Sequence, residues 1–133
     1  MSENIEITPE LIKKLKPLQK GHVWKKGDRN ILDGKDVFTV VYVSTEMLYR
    51  FNEPCMSANF SEKERAIYYP REGDLTEMLR EAKWTYQARK DTDCYEVTVW
   101  KETIAGTYYG ESLSFYEALL SVVRQAVYGI EEE

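Results

Sequence analysis

His22 is the only histidine of the 133-residue chain and the only side chain whose unperturbed pKa lies near neutrality. A nucleophilic site built on it would need a serine or cysteine beside it and an acid to orient it. Its nearest polar neighbours, Lys20, Lys25 and Asp28, form no triad and no metal-ligand spacing. A surface or structural histidine is the simpler reading. Cys55 and Cys94 are the only thiols; they lack CxxC spacing, so two buried free thiols are expected rather than a disulfide or a reactive pair. The carboxylates Glu62, Glu64, Glu72, Asp74, Glu77 and Glu81 contain no DxDxDG loop and no HExxH pair. Glu77 and Glu81 stand four apart on a predicted helix beside Arg80 and Lys83, the pattern of a solvated face rather than of a paired acid and base. No catalytic residue, metal site or cofactor follows from these groups.

Two binding candidates remain. Lys25, Lys26 and Arg29, in Trp24-Lys25-Lys26-Gly27-Asp28-Arg29, could hold a phosphate, although the segment has neither GxxxxGK[ST] nor GxGxxG spacing and a polar turn explains it more simply. The aromatics form the other group, with ten tyrosines and three tryptophans to divide between core and surface. Alternation from Cys94 to Trp100 puts Tyr95, Val97 and Val99 on an apolar face with Trp84 and Tyr86, and puts Trp100 on the opposite face with Glu96 and Thr98. Tyr109 of a following strand can join Trp100, and Tyr68-Tyr69 presents a similar choice. Trp100, Tyr109, Tyr68 and Tyr69 are therefore the candidate partner contacts, weighed against a second small core, which the usual burial of aromatics favours.

The elements that would position these residues can be read from caps and periods. Thr8-Pro9-Glu10 opens a short helix with Leu11, Ile12, Leu15 and Leu18 on one face, interrupted by Pro17 and stopped by Gly21. Asp33-Gly34 marks a hairpin joining Asn30–Leu32 to Val37–Val43, a strand apolar on both sides and so expected to be covered on both sides or to lie in a barrel-like sheet. The segment 52–64 has no clear period and reads as a loop. Asp74 with Glu77 opens a helix carrying Leu75, Met78, Leu79 and Ala82. A half-buried strand from Trp84 to Arg89 follows, then a polar turn over 90–93 and a strand Cys94–Trp100. A weaker strand Ile104–Tyr109, broken by Gly106, completes the meander. Ser114 with Glu117 opens the last helix, where Phe115, Ala118, Leu119, Val122, Val123, Ala126 and Val127 recur at intervals of three and four residues, and Gly129 ends it.

This order predicts an α+β fold: an antiparallel sheet, made of a three-strand meander in the C-terminal half plus an N-terminal hairpin, packed with two or three helices. One domain over 1–133 is expected, with a helical segment at 1–21, a β-rich part and loop at 22–65, and a helix, meander and helix at 66–133. The N-terminus lacks the regions of a signal peptide and no apolar run reaches bilayer-spanning length, so a protein of the host cytoplasm without membrane contact is expected. The net charge is -5, divided between an excess of +5 over Thr8 to Arg29 and -10 over the rest. Such a molecule repels polyanions, which disfavours nucleic acid as a partner.

The block Ala66–Glu81, AIYYPREGDLTEMLRE, with its aromatic-Pro-Arg element ahead of an amphipathic helix, resembles a phrase in small uncharacterised proteins of Gram-positive phages and prophages. The Trp84 strand, the polar hairpin and the last helix, SFYEALLSVVRQAVY, are similar to the same group, which includes sandwich-like α+β domains. The resemblance covers about the C-terminal half, implies a mobile-element origin and transfers no catalytic residue. The expectation is a non-enzymatic accessory protein that binds another protein, such as a host factor or defence component that it would inhibit; a nucleotide-like small ligand held in an aromatic pocket is the alternative.

Overall fold

The computed structural model describes residues 7–32, 34, 36–52, 57–102 and 104–130. It is α+β, and its contacts divide the chain into two compact units, Glu6–Pro70 and a second containing Arg71–Glu133. Their boundary lies five residues beyond the 65/66 boundary read from the sequence.

In the N-terminal unit, helix α1 spans Pro9–Leu15, with the Thr8 hydroxyl accepting the Leu11 N–H at 3.1 Å and proline at the first helical position. Pro17 removes a donor, and the chain tightens into a 3-10 turn at Lys16–Gln19 before Gly21 leaves it at φ +77°. Gln19 then ties this end to the sheet. Its amide nitrogen donates to the Tyr68 carbonyl at 3.0 Å and its oxygen accepts the Tyr68 N–H at 2.6 Å.

The sheet of this unit contains β1 (Arg29–Leu32), β2 (Asp36–Val43), β3 (Met47–Asn52), β4 (Ser57–Glu62) and β5 (Ala66–Tyr68), curled and antiparallel in the order β4-β3-β2-β1-β5. The β1–β2 hairpin forms as expected, pairing Leu32 with Asp36 around Gly34 at φ +76°; Asp33 lies outside the described residues. Two expectations are corrected. Segment 52–64 is not a loop: β4 pairs with β3 from Met47↔Glu62 to Asn52↔Ser57. Its polar sequence hides a strand whose partner backbone, rather than a side-chain pattern, defines it. Nor is β2 covered on both sides, since Val37, Val41 and Tyr42 are exposed. One helix of seven residues cannot cover both faces of the sheet. The register shift between Val40 and Tyr42 inserts a residue, so Val40 and Val43 both reach the core cluster with Leu48, Ala66 and Trp24.

The C-terminal unit runs α2 (Glu72–Glu81), β6 (Thr85–Lys90), β7 (Tyr95–Lys101), β8 (Ile104–Ser112) and α3 (Phe115–Ala126), with an antiparallel sheet in the order β6-β7-β8. The expected helix, meander and helix are all present. Helix α2 begins two residues before Asp74, whose carboxylate sits at the third position and accepts the Arg71 N–H at 2.9 Å. Ser114 caps α3 by accepting the Glu117 N–H at 3.3 Å, and Gly129 follows at φ +69°. Strand β8 is continuous through Gly106, which adopts φ +120° where the pairing slips between Trp100 and Lys101.

Leu75 and Leu79 of α2, Val97 and Val99 of β7, and Tyr116, Ala118, Leu119, Leu120, Val122 and Val123 of α3 form the buried centre. Helix α3 packs on β7 and β8. A helix with its side chains is about 10–12 Å wide and strands stand about 4.8 Å apart, so one helix covers about two strands. Strand β6 is left out: all six of its residues are exposed, which corrects the half-buried strand and moves Tyr86 from the expected core to the surface. Trp84, just ahead of it, is buried beside Tyr108. Among the described residues no helix is long and apolar enough to cross a membrane.

Candidate functional site

The register of the three-stranded sheet sorts its side chains into two faces. Tyr86, Val99 and Tyr108 form one row, Ala88, Val97 and Gly110 the next, and Lys90, Tyr95 and Ser112 the third; α3 lies on this face, because Gly110 abuts the backbone of Ala118. The opposite face carries the rows Thr85–Trp100–Thr107, Gln87–Thr98–Tyr109 and Arg89–Glu96–Glu111. It is open. Trp100 is half-buried within its row, Tyr109 is 48% exposed, and the polar residues around them are exposed or half-buried.

Charges on this face are arranged in a chain. Arg89 donates to Glu96 at 2.8 Å, and the Cys94 thiol donates to the Glu111 carboxylate at 2.9 Å. Beside them, Gln87, Arg89, Glu96 and Thr98 line a shallow cleft of about 210 Å³. Desolvation and the negative charges of Glu111 and Glu96 push the Tyr109 phenol up from its ordinary pKa, so it stays a neutral donor. The hydrogen bond to Glu111, with desolvation and the charges of Glu111, Glu96 and Asp91, pushes the Cys94 thiol from 9.0 up to about 11. Cys94, Glu96 and Glu111 place a sulfur and two carboxylate oxygens within 4.8 Å of one another, but the thiol there is held in its protonated form, the wrong form for a metal ligand. Two units of pKa lower the thiolate fraction at pH 8 by about a hundredfold, so iodoacetamide is expected to modify Cys94 slowly, with Glu111→Gln accelerating it. Peptide mapping that finds Cys94 as reactive as a free cysteine would contradict this. Cys55, the other thiol, lies outside the described residues.

The N-terminal unit holds a second constellation that sequence spacing did not reveal. The turn at Gly27, φ +96°, brings His22 Nε2 to 3.0 Å from Asp28 Oδ2. Asp28 is 4% exposed; it also accepts the Lys25 N–H at 3.0 Å and lies 3.8 Å from Lys25 Nζ. The His22 ring stacks on Tyr68 at a centroid distance of 3.6 Å and meets Trp24 edge-on at 5.0 Å. An imidazole so held is oriented, but rings at stacking distance leave no space between them for a ligand. The pair fastens the segment after α1 onto β5.

Two of the four candidate aromatics are thereby relocated: Tyr68 and Tyr69 are each 3% exposed and belong to the interior. Tyr68 lies under His22, and Tyr69 lies under the Arg29 guanidinium at 3.8 Å. The candidate anion set does not converge either. Arg29 donates to the carbonyls of Tyr69 at 3.0 Å and Pro70 at 2.9 Å, Lys25 leans on Asp28, and Lys26 is exposed. Backbone carbonyls and a buried carboxylate have taken the charges a phosphate would need. Trp100 and Tyr109, by contrast, share the open face, one row apart. No protein-family model matches the chain, and no curated protein or solved structure does.

Proposed function

We propose that the chain is a non-enzymatic binding protein of phage or prophage origin, whose protein partner docks on the open face of β6-β7-β8 and is inhibited by that contact. The observation that carries this reading is the pairing of Thr98 with Tyr109 and of Trp100 with Thr107, which sets an exposed tyrosine and a half-buried tryptophan together on the face that α3 leaves uncovered. Tryptophan and tyrosine are the side chains most enriched at binding hot spots, and here a rim of Gln87, Arg89, Glu96 and Glu111 surrounds them. The phage origin and the inhibition of a host factor or defence component rest on the resemblance carried by residues 66–81 and the elements after them.

Capture from a Gram-positive host lysate tests this reading. The tagged wild-type chain is expected to retain a specific protein that the Trp100→Ala/Tyr109→Ala variant loses. Equal retention by both, or no specific protein at all, would overturn the proposal.

A further inference from the structure

Strand β6 pairs with β7 on one side, and among the described residues no strand pairs with it on the other. All six of its residues are exposed. Such an edge presents unmet backbone donors and acceptors, which proteins commonly blunt with a bulge, a proline or a covering element. The opposite edge, β8, has such a device in Gly106 and the slipped pairing beside it. Strand β6 has no proline, and its pairing runs unbroken from Thr85↔Trp100 to Lys90↔Tyr95. A cleft of about 410 Å³ flanks it, lined by Thr76, Glu77 and Arg80 of α2 and by Trp84, Thr85 and Tyr86.

We infer that β6 is a dimerisation edge, pairing antiparallel with β6 of a second copy of this chain about a two-fold axis. Charge selects the occupant. Residues 71–133 carry seven Lys or Arg against thirteen Asp or Glu, a net of -6, so two copies repel across most of this unit. Around β6 the balance closes, with Arg80, Lys83, Arg89 and Lys90 against Glu77, Glu81, Asp91 and Asp93. The edge is the neutral strip of an acidic body.

Register supports the same choice. Residues directly opposite one another in an antiparallel pair share a face, so a two-fold axis at Gln87 or at Ala88 keeps both α3-bearing faces on one side. With the axis at Gln87, Arg89 lies opposite Thr85 and Lys90 opposite Trp84 of the second copy. With the axis at Ala88, Arg89 lies opposite Gln87 and Lys90 opposite Tyr86. No cation meets a cation in either. The product is one six-stranded sheet with two open faces side by side. This inference stands on the edge itself and holds whether or not the open face binds a partner.

Light scattering on the full chain across a micromolar dilution series tests it, with an expected mass at the upper end of twice the 15.6 kDa of one chain. Gln87→Lys sets a lysine against itself or against Arg89, and is expected to weaken the dimer by at least about tenfold, because like charges directly opposite destabilise a pair. Gln87→Glu reports the register: it weakens a dimer centred on Gln87 and strengthens one centred on Ala88. Thr107→Lys, on the other edge strand, leaves the dimer unchanged. A chain that stays at single mass throughout, or a dimer indifferent to both Gln87 variants, overturns the inference.

Discussion

Gly110→Ala is expected to destabilise the C-terminal unit by about 1–3 kcal/mol, the cost of forcing a methyl group into a filled interface. A Cβ on Gly110 would lie 2.5 Å from the Ala118 carbonyl oxygen, 3.1 Å from Ser121 Cβ and 3.2 Å from Val122 Cγ1. The nearest of these is helix backbone, which cannot swing aside as the end of a flexible side chain would. Either α3 lifts from β8 or β8 bends away from it, and both loosen the contact that buries Val97, Val122 and Val123. Each kcal/mol lost lowers the melting temperature of a unit this size by about 4–8 °C. Gly73 is the control. It sits in α2 with nothing within 4 Å of its Cβ position, so Gly73→Ala is expected to be neutral or stabilising, by up to about 1 kcal/mol. Thermal unfolding of the two variants side by side decides it, and a Gly110→Ala protein as stable as Gly73→Ala would refute the packing of α3 on this strand.

Asp28→Ala should cost the N-terminal unit a similar amount, about 1–3 kcal/mol, because truncating a buried acceptor leaves its donors unmet. The donors are the Lys25 N–H and the His22 ring, both 3.0 Å from Oδ2, and the carboxylate between them is 5% exposed at its side chain. Asp28→Asn preserves the shape and one acceptor oxygen, so it should retain more stability than alanine does. Urea unfolding monitored by tryptophan fluorescence separates the three proteins. Identical midpoints would show that the His22–Asp28 pair contributes nothing to holding the turn.

The contrast between these sites explains what could be read from the sequence. Ser114 and Thr8 announced their helices because a cap is a local event: a hydroxyl and an amide three residues on are all it requires. Trp100 and Tyr109 were legible as face-mates because the two-residue period of a strand fixes parity along β7, and the meander carries that parity into β8. Parity cannot say which strand a helix will reach, so Tyr86 was assigned to a core that α3 is too narrow to cover. Tyr68 and Tyr69 failed for a related reason. Adjacent residues of a strand point to opposite faces, and the groups that bury them, His22 and Arg29, come from segments about forty residues away. The His22–Asp28 pair was invisible because a turn at Gly27 makes it, and no spacing rule encodes that turn. Strand β4 was missed because pairing with β3 gives it its conformation while its own residues, Ser-Ala-Asn-Phe-Ser-Glu, carry no strand pattern.

The open face of β6-β7-β8 is the central claim, and the affinity of the captured partner for the Trp100→Ala/Tyr109→Ala chain tests it most directly. Hot-spot aromatics contribute about 2 kcal/mol or more each, so titration calorimetry should show a dissociation constant raised at least about thirtyfold. Lys13→Ala/Lys14→Ala, on the exposed side of α1 in the other unit, should leave it unchanged. Undiminished affinity in the aromatic variant, with loss in the lysine variant, would contradict the account and move the binding surface to the N-terminal unit.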